Sequence, residues 1–202
     1  QELVKESVAS PPEVYLKVKQ TIDCPDFKFT DLSKIINNDP ALVARILQIV
    51  NSALYGFEEK VESVEHALNV MGVEPLNELI LATSVMKNFK DFPKEIWQSL
   101  VDMKSFWRHS IACGVTGKYL AQKFGFMNTE RFYLLGMLHD MGSLVLYTKL
   151  PEASREVLVR CKRNKENLSD VEVELLGMSH ATVGAHLMKE WGLPQNIYEP
   201  VA

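Results

Sequence analysis

Apolar residues recur three and four positions apart through nearly the whole chain, and no long stretch alternates apolar with polar or gathers β-branched and aromatic residues between tight turns. This pattern predicts an all-α protein. A first helix is expected to start near Pro11-Pro12 and to carry Val14, Leu16 and Val18 towards Cys24-Pro25, where proline discourages continuation. A short helix follows from about Asp31. Asp39-Pro40 is a strong start signal, since aspartate caps free backbone N–H groups and proline suits the first helical turn. From it Leu42, Val43, Ile46, Leu47 and Val50 form an apolar face, and the run Asn51 to Gly56 ends that helix, with Gly56 suited to the left-handed cap conformation.

Ser63 opens the next helix and Gly72 closes it, and a longer one carrying Leu76, Leu79, Ile80 and Val85 leads to the segment 90–94. Pro93 marks the best internal boundary. Beyond it the pattern predicts a helix around Trp97, a long one from Ser105 to Phe124, one from Thr129 to about Tyr147, one after Pro151 and a final pair. Ser169 with Glu172 has the spacing of a capping box, and Gly177 can end that helix. The organisation read from this is a multi-helix bundle of two subdomains, 11–93 and 94–202. They are expected to pack as one unit, because no Gly/Ser-rich linker separates them.

Composition changes this picture little. Apolar residues make up 47% and charged residues 24%, an ordinary globular balance far from the signature of disorder. A formal charge of -4 supplies no basic field for phosphate backbones, so nucleic acid is not expected as a partner. Cys24, Cys113 and Cys161 are widely spaced, with no CxxC pair, and read as reduced thiols of a cytoplasmic protein. No apolar run approaches the ~20 residues of a membrane span, and residues 1–12 lack the regions of a signal peptide. The start at Gln1 and the abrupt end at Ala202 are expected of a fragment or of a partly ordered chain.

Several motifs together resemble one family. They are the run Asn38 to Leu47, then Asn51 to Gly56, Ala67-Leu68 and Met71-Gly72; the segments Phe106 to Ser110, Gly136 to Gly142 and His180 to Leu187; and the closing Trp191-Gly192-Leu193-Pro194. In this order, over about residues 11–200, the chain resembles the HDOD domain, the bacterial HD-related output domain. The resemblance implies an all-helical fold whose second half is related to HD phosphohydrolases and whose first half is a helical bundle specific to the family. It also implies bacterial signal transduction, with signalling proteins as partners.

Metal-assisted phosphoester hydrolysis needs imidazole and carboxylate ligands that fix divalent ions and leave positions open for water and phosphate. On the resemblance, His109, His139 and Asp140 are the candidate ligands, and adjacent residues on a helix would diverge by about 100°. His180 aligns with a histidine that joins the metal shell of binuclear HD enzymes, and at a helix start it serves equally well as a cap. HD hydrolases complete their site with a distal aspartate, yet the last aspartate here is Asp170, ahead of His180. Glu190 and Glu199, the only later acids, are poor substitutes. The lysine and the Gly-Tyr-Pro signature of cyclic-di-nucleotide enzymes are absent as well. The expected function is therefore a regulatory module acting through protein contacts or a small nucleotide-like ligand. Its degenerate site would hold at most a weakly bound divalent metal, and the alternative is a metal-dependent phosphohydrolase.

Other residues carry quieter expectations. Asn51 and Ser52 could bind a ligand through amide and hydroxyl, but these types also organise helix ends. His66 and His186 read as structural. The basic stretch Arg155, Arg160, Lys162, Arg163 and Lys165 is interrupted by acids and reads as a solvated face. Trp97, Trp107 and Trp191 read as buried anchors, and Gly136 and Gly142 as points of close helix approach or helix termination.

Overall fold

The computed structural model describes residues 11–88 and 100–202, which contain helices and no strand. They form two compact units, one of residues 11–88 with 115–134 and the other of 100–114 with 135–202. Pro93 and Trp97 lie outside the described residues.

The first unit opens with α1 (Glu13–Ile22), α2 (Phe29–Asn37), α3 (Pro40–Val50), α4 (Val64–Met71) and α5 (Val73–Asn88). Helix α1 starts where Pro12 indicated, but the residues it buries are Tyr15 and Val18. Those two are three apart and share a face, whereas Val14, Leu16 and Val18 are spaced as in a strand. Helix α2 begins two residues before Asp31, whose carboxylate accepts the Lys28 N–H at 3.2 Å from within the first turn. Asp39 caps α3, accepting the Leu42 N–H at 3.1 Å, and Leu42, Ile46 and Val50 form its buried stripe. That helix ends at Val50, so Gly56, at φ 63°, serves the turn beyond rather than the helix terminus. Ser63 accepts the His66 N–H to start α4, and Gly72 closes it at φ 88°.

Residues 115–134 bring charge into this unit. Lys118, only 1% exposed, donates to Glu130 at 3.0 Å and holds its ammonium 3.0 Å from the Tyr55 ring centre. Asn128 donates to Glu78 at 3.4 Å, and burial pushes the Glu78 carboxyl up to about 7. A fragment of residues 96–202 keeps Lys118 and Glu130 but loses Tyr55 and Glu78. It is expected to melt without a cooperative transition by circular dichroism; a sharp, reversible melt would show that residues 115–134 do not need the helices before them.

Helix α6 (Met103–Lys123) lies in the second unit up to residue 114, and α7 (Thr129–Leu138) enters it at residue 135. The rest of that unit is α8 (Met141–Lys149), α9 (Pro151–Asn164), α10 (Leu168–Leu176), α11 (His180–Glu190), α12 (Gln195–Tyr198) and a 3-10 turn, Glu199–Val201. Helix α8 is buried from Met141 to Tyr147 and packs along α11. The single helix expected from Thr129 to Tyr147 is thus two helices, broken at His139-Asp140. Trp191 is buried as expected, while Trp107 is half-buried, edge-on to Phe106 at 5.2 Å. Arg160 bridges Glu166 at 2.8 Å and Glu174 at 2.7 Å, consistent with a solvated face on α9.

Candidate metal centre

The break between α7 and α8 builds the site. With φ -96° and ψ 7°, Asp140 leaves the helical path and starts α8. The side chains of His139 and Asp140 therefore converge instead of fanning apart, and His139 Nε2 lies 3.1 Å from Asp140 Oδ2. A glycine on either side of the break sets the approach of the neighbouring helices. A Cβ on Gly136 would collide with the backbone of Cys113 and Gly114 in α6, and one on Gly142 with the carbonyl of His180 and the amide of Gly184 in α11. These contacts bring His109 from α6 and His180 from α11 to the same point. His109 Nε2 is 3.3 Å from His139 Nε2 and 3.4 Å from Asp140 Oδ2, and His180 Nε2 faces the other oxygen, Oδ1, at 3.7 Å.

Second contacts fix the ring faces. The Nδ1–H of His139 donates to the Gly136 carbonyl at 2.8 Å, which leaves Nε2 as the ring atom turned towards His109 and Asp140. His180 Nδ1 lies 2.5 Å from Glu172, whose carboxylate also accepts the His180 backbone N–H at 2.8 Å and whose side chain is 2% exposed. Histidine with its far nitrogen held by a carbonyl or carboxylate is the usual arrangement behind a metal. Two imidazole nitrogens 3.3 Å apart beside a carboxylate oxygen are satisfied by a shared proton or a shared cation, so the donor set fits a divalent ion. Cys113, one turn after His109 on α6, adds a sulfur 3.6 Å from His109 Nε2.

The charges are mutually tuned. The hydrogen bond to Asp140 raises the pKa of His139 against the opposing effect of burial, and the bond to Glu172 does the same for His180. Burial pushes the Asp140 carboxyl up, but the hydrogen bond from His139 and the three imidazoles outweigh it and hold the group below its ordinary value. Burial, then the charge of Asp140, pushes the Cys113 thiol up. Stability of the metal-free protein follows with a definite sign. A histidine whose pKa is raised on folding contributes fully below its unfolded value of about 6.5, and that contribution is lost as pH climbs through the folded value. In chelator, stability by urea denaturation is expected to fall as pH rises from about 6.5, and Glu172→Gln is expected to flatten the fall. A rise over that range would mean the two histidines are not held as cations.

The other expected residues lie elsewhere or are already committed. The Asn51 amide donates to the carbonyls of Leu47 and Val61, and its oxygen accepts the Val61 N–H, each at 2.8 Å. Ser52 donates to the Ile49 carbonyl at 2.6 Å. These bonds tie the end of α3 to the segment before α4, which is a structural role. His186 is exposed, with Nδ1 on the Thr182 carbonyl, and His66 lies in the first turn of α4. His180 is not the cap of α11: Ser179 is, accepting the Thr182 N–H at 3.2 Å. The capping box expected at Ser169 and Glu172 is also absent. Asn167 caps α10 instead, accepting from the N–H groups of Ser169 and Asp170, and Glu172 turns inward to His180.

Over residues 8–202 the sequence matches the HDOD domain family. The chain belongs to the HDOD domain family. An uncharacterised protein of Treponema pallidum (strain Nichols) is 25% identical over 193 residues, covering 94% of this chain and 36% of its own length. The chain thus spans about a third of that relative. Among solved structures, one from Shewanella amazonensis, provisionally named a phosphohydrolase, aligns with a TM-score of 0.78 at 22% identity, over 99% of this chain and 69% of its own. An HDOD domain protein with unknown function from Geobacter sulfurreducens aligns with a TM-score of 0.73 at 24% identity, over 99% and 67%. At these identities the likeness shows the fold alone, the all-helical fold shared with an HDOD domain. Among the described residues, no helix is long and apolar enough to cross a membrane.

Proposed function

We propose that this HDOD domain is a regulatory module of signal transduction that holds one divalent cation at His109, His139 and Asp140 and does not hydrolyse phosphoesters. One observation carries the reading. Among the described residues, Asp140 is the only carboxylate within ion-pair distance of His109 or His139. Glu172, the other acid of the cluster, is committed to His180. When bound, an ion here would polarise a water or a phosphoryl oxygen. Phosphoester hydrolysis further calls for positions that anchor both nucleophile and substrate, and one carboxylate shared among three imidazoles provides little for either. The chain's own groups hold the ion's charge, fix the break between α7 and α8, and tie α6, α8 and α11 together. Occupancy would thereby be coupled to the surface these helices offer a signalling partner.

The test is metal analysis of protein reloaded after chelation, together with assays against generic phosphodiester and nucleotide substrates. Uptake of up to one divalent ion per chain is expected, lost in His139→Ala, with no turnover above background in manganese, iron or magnesium. Turnover that disappears in Asp140→Ala would overturn the reading and make the chain a metal-dependent phosphohydrolase; its Shewanella neighbour is provisionally named a phosphohydrolase.

A further inference from the structure

We infer that Cys113 is a ligand of the bound ion, and that its sulfur makes the centre a site for a borderline-soft cation such as zinc rather than for magnesium or manganese. This rests on the reading of the cluster as a metal site and adds the identity of the ion. His109 and Cys113 are four residues apart on α6, so their side chains stack on one helix face. The Cys113 sulfur lies 3.6 Å from His109 Nε2, and the donor atoms of His109, Cys113 and His139 all fall within 4.8 Å of one another.

These separations can be compared with a tetrahedral shell. With metal–nitrogen bonds of about 2.0–2.1 Å and a metal–sulfur bond of about 2.3 Å, the nitrogen–nitrogen edge is about 3.3 Å and the nitrogen–sulfur edge about 3.6 Å. The two imidazoles, 3.3 Å apart, match the first edge; the sulfur is 3.6 Å from His109 Nε2 but also 3.9 Å from its Nδ1, so it lies beside the ring, and a turn of the Cys113 side chain brings it into the shell. Asp140 Oδ2, at 3.1 and 3.4 Å from the two nitrogens, is the candidate for the fourth donor. His180, on the far oxygen of Asp140, is then a positioning residue rather than a ligand.

The chemistry of this set is selective. Two neutral imidazoles, one thiolate and one carboxylate balance the charge of a divalent ion. Thiolate favours zinc or cobalt, whereas magnesium and manganese prefer oxygen donors and gain little from sulfur. Binding converts the thiol to a metal thiolate and releases its proton to solvent, so the sulfur contributes one proton per ion bound. Four protein donors also fill a tetrahedral shell, the pattern of structural zinc sites, whereas catalytic ones keep a position open.

The experiment uses the full chain, stripped by chelator and titrated with cobalt(II), with circular dichroism confirming that each variant is folded. Wild type is expected to take up one cobalt with a near-ultraviolet thiolate-to-cobalt charge-transfer band and intense visible bands of tetrahedral geometry. One equivalent of zinc should displace it, and excess magnesium or manganese should not. Cys113→Ser and Cys113→Ala are expected to lose the charge-transfer band and to weaken zinc binding by at least about tenfold. The Cys24→Ser/Cys161→Ser double variant keeps the band, which assigns the sulfur even if the Cys113 variants fold poorly. Cobalt bound without the band, or a band that vanishes in the double variant, overturns Cys113 as ligand and leaves the metal-site reading standing. No cobalt or zinc taken up by wild type, with His139→Ala behaving identically, overturns both.

Discussion

Replacing Gly142 by alanine is expected to cost about 3 kcal/mol of folding stability, the upper part of the range for overpacking. The new Cβ would meet the His180 carbonyl and the Gly184 amide, both backbone atoms of α11, so no side chain can rotate away to make room. Helix α8 is buried along this contact, and separating it from α11 would also draw His180 away from Asp140. Gly184→Ala is the internal comparison. Its Cβ would approach the Gly142 amide at 3.2 Å, tight but within reach of a small adjustment, and its cost is expected to be about 1 kcal/mol. Urea denaturation of the two variants checks the ranking. Equal effects, or a loss below about 0.5 kcal/mol for Gly142→Ala, would show that the two helices have slack to separate.

The second large effect is expected at Glu130, and it should be asymmetric. Glu130→Ala leaves the Lys118 ammonium buried with only the face of Tyr55 beside it, and stranding one member of a buried pair typically costs about 3–5 kcal/mol. Lys118→Met removes the charge while keeping most of the side-chain volume against the Tyr55 ring. It leaves Glu130, whose side chain is 16% exposed, able to turn towards water. Its cost is expected to stay within about 1 kcal/mol, because replacing a buried ion by a packed apolar group is often neutral. Chemical denaturation at neutral pH separates the two. Similar losses in both variants would mean that the bond between them, rather than burial of the lone ammonium, sets the energy.

Much of the fold was legible because its signals are local. Asp39-Pro40, Ser63 and Gly177 act where their neighbours in sequence indicated, since a cap needs only backbone groups within about four residues, the following amides at an N-terminus and the preceding carbonyls at a C-terminus. The break at His139-Asp140 was only half legible: Gly136 and Gly142 read as close approaches or helix ends, and they are close approaches, but the helical apolar spacing continues past them and suggested one helix. The candidate ligands His109, His139 and Asp140 are brought together, and His180, also expected there, faces the far oxygen of Asp140. Glu172 was misread because its spacing from Ser169 imitates a capping box, while its partner, eight residues further on, lies across a turn. Cys113 did carry a usable signal: four residues after His109 on a helix is one turn along the same face. The same spacing rule failed for α1 only because the alternating Val14, Leu16 and Val18 were counted ahead of Tyr15.

The assignment of residues 115–134 to the first unit sets a timetable for synthesis. A ribosome delivers residues 11–88 first, yet the side chains that complete this unit's interior, Lys118, Asn128 and Glu130 among them, are added only after residues that belong elsewhere. Until residue 134 has left the exit tunnel, Tyr55 and Glu78 face water or a transient partner instead of these groups. Helices α1 to α5 can form as they emerge, but their tertiary packing must wait for a distant segment, which raises contact order and slows the last step of folding. A nascent chain halted before residue 115 is therefore the species most open to chaperones and proteases.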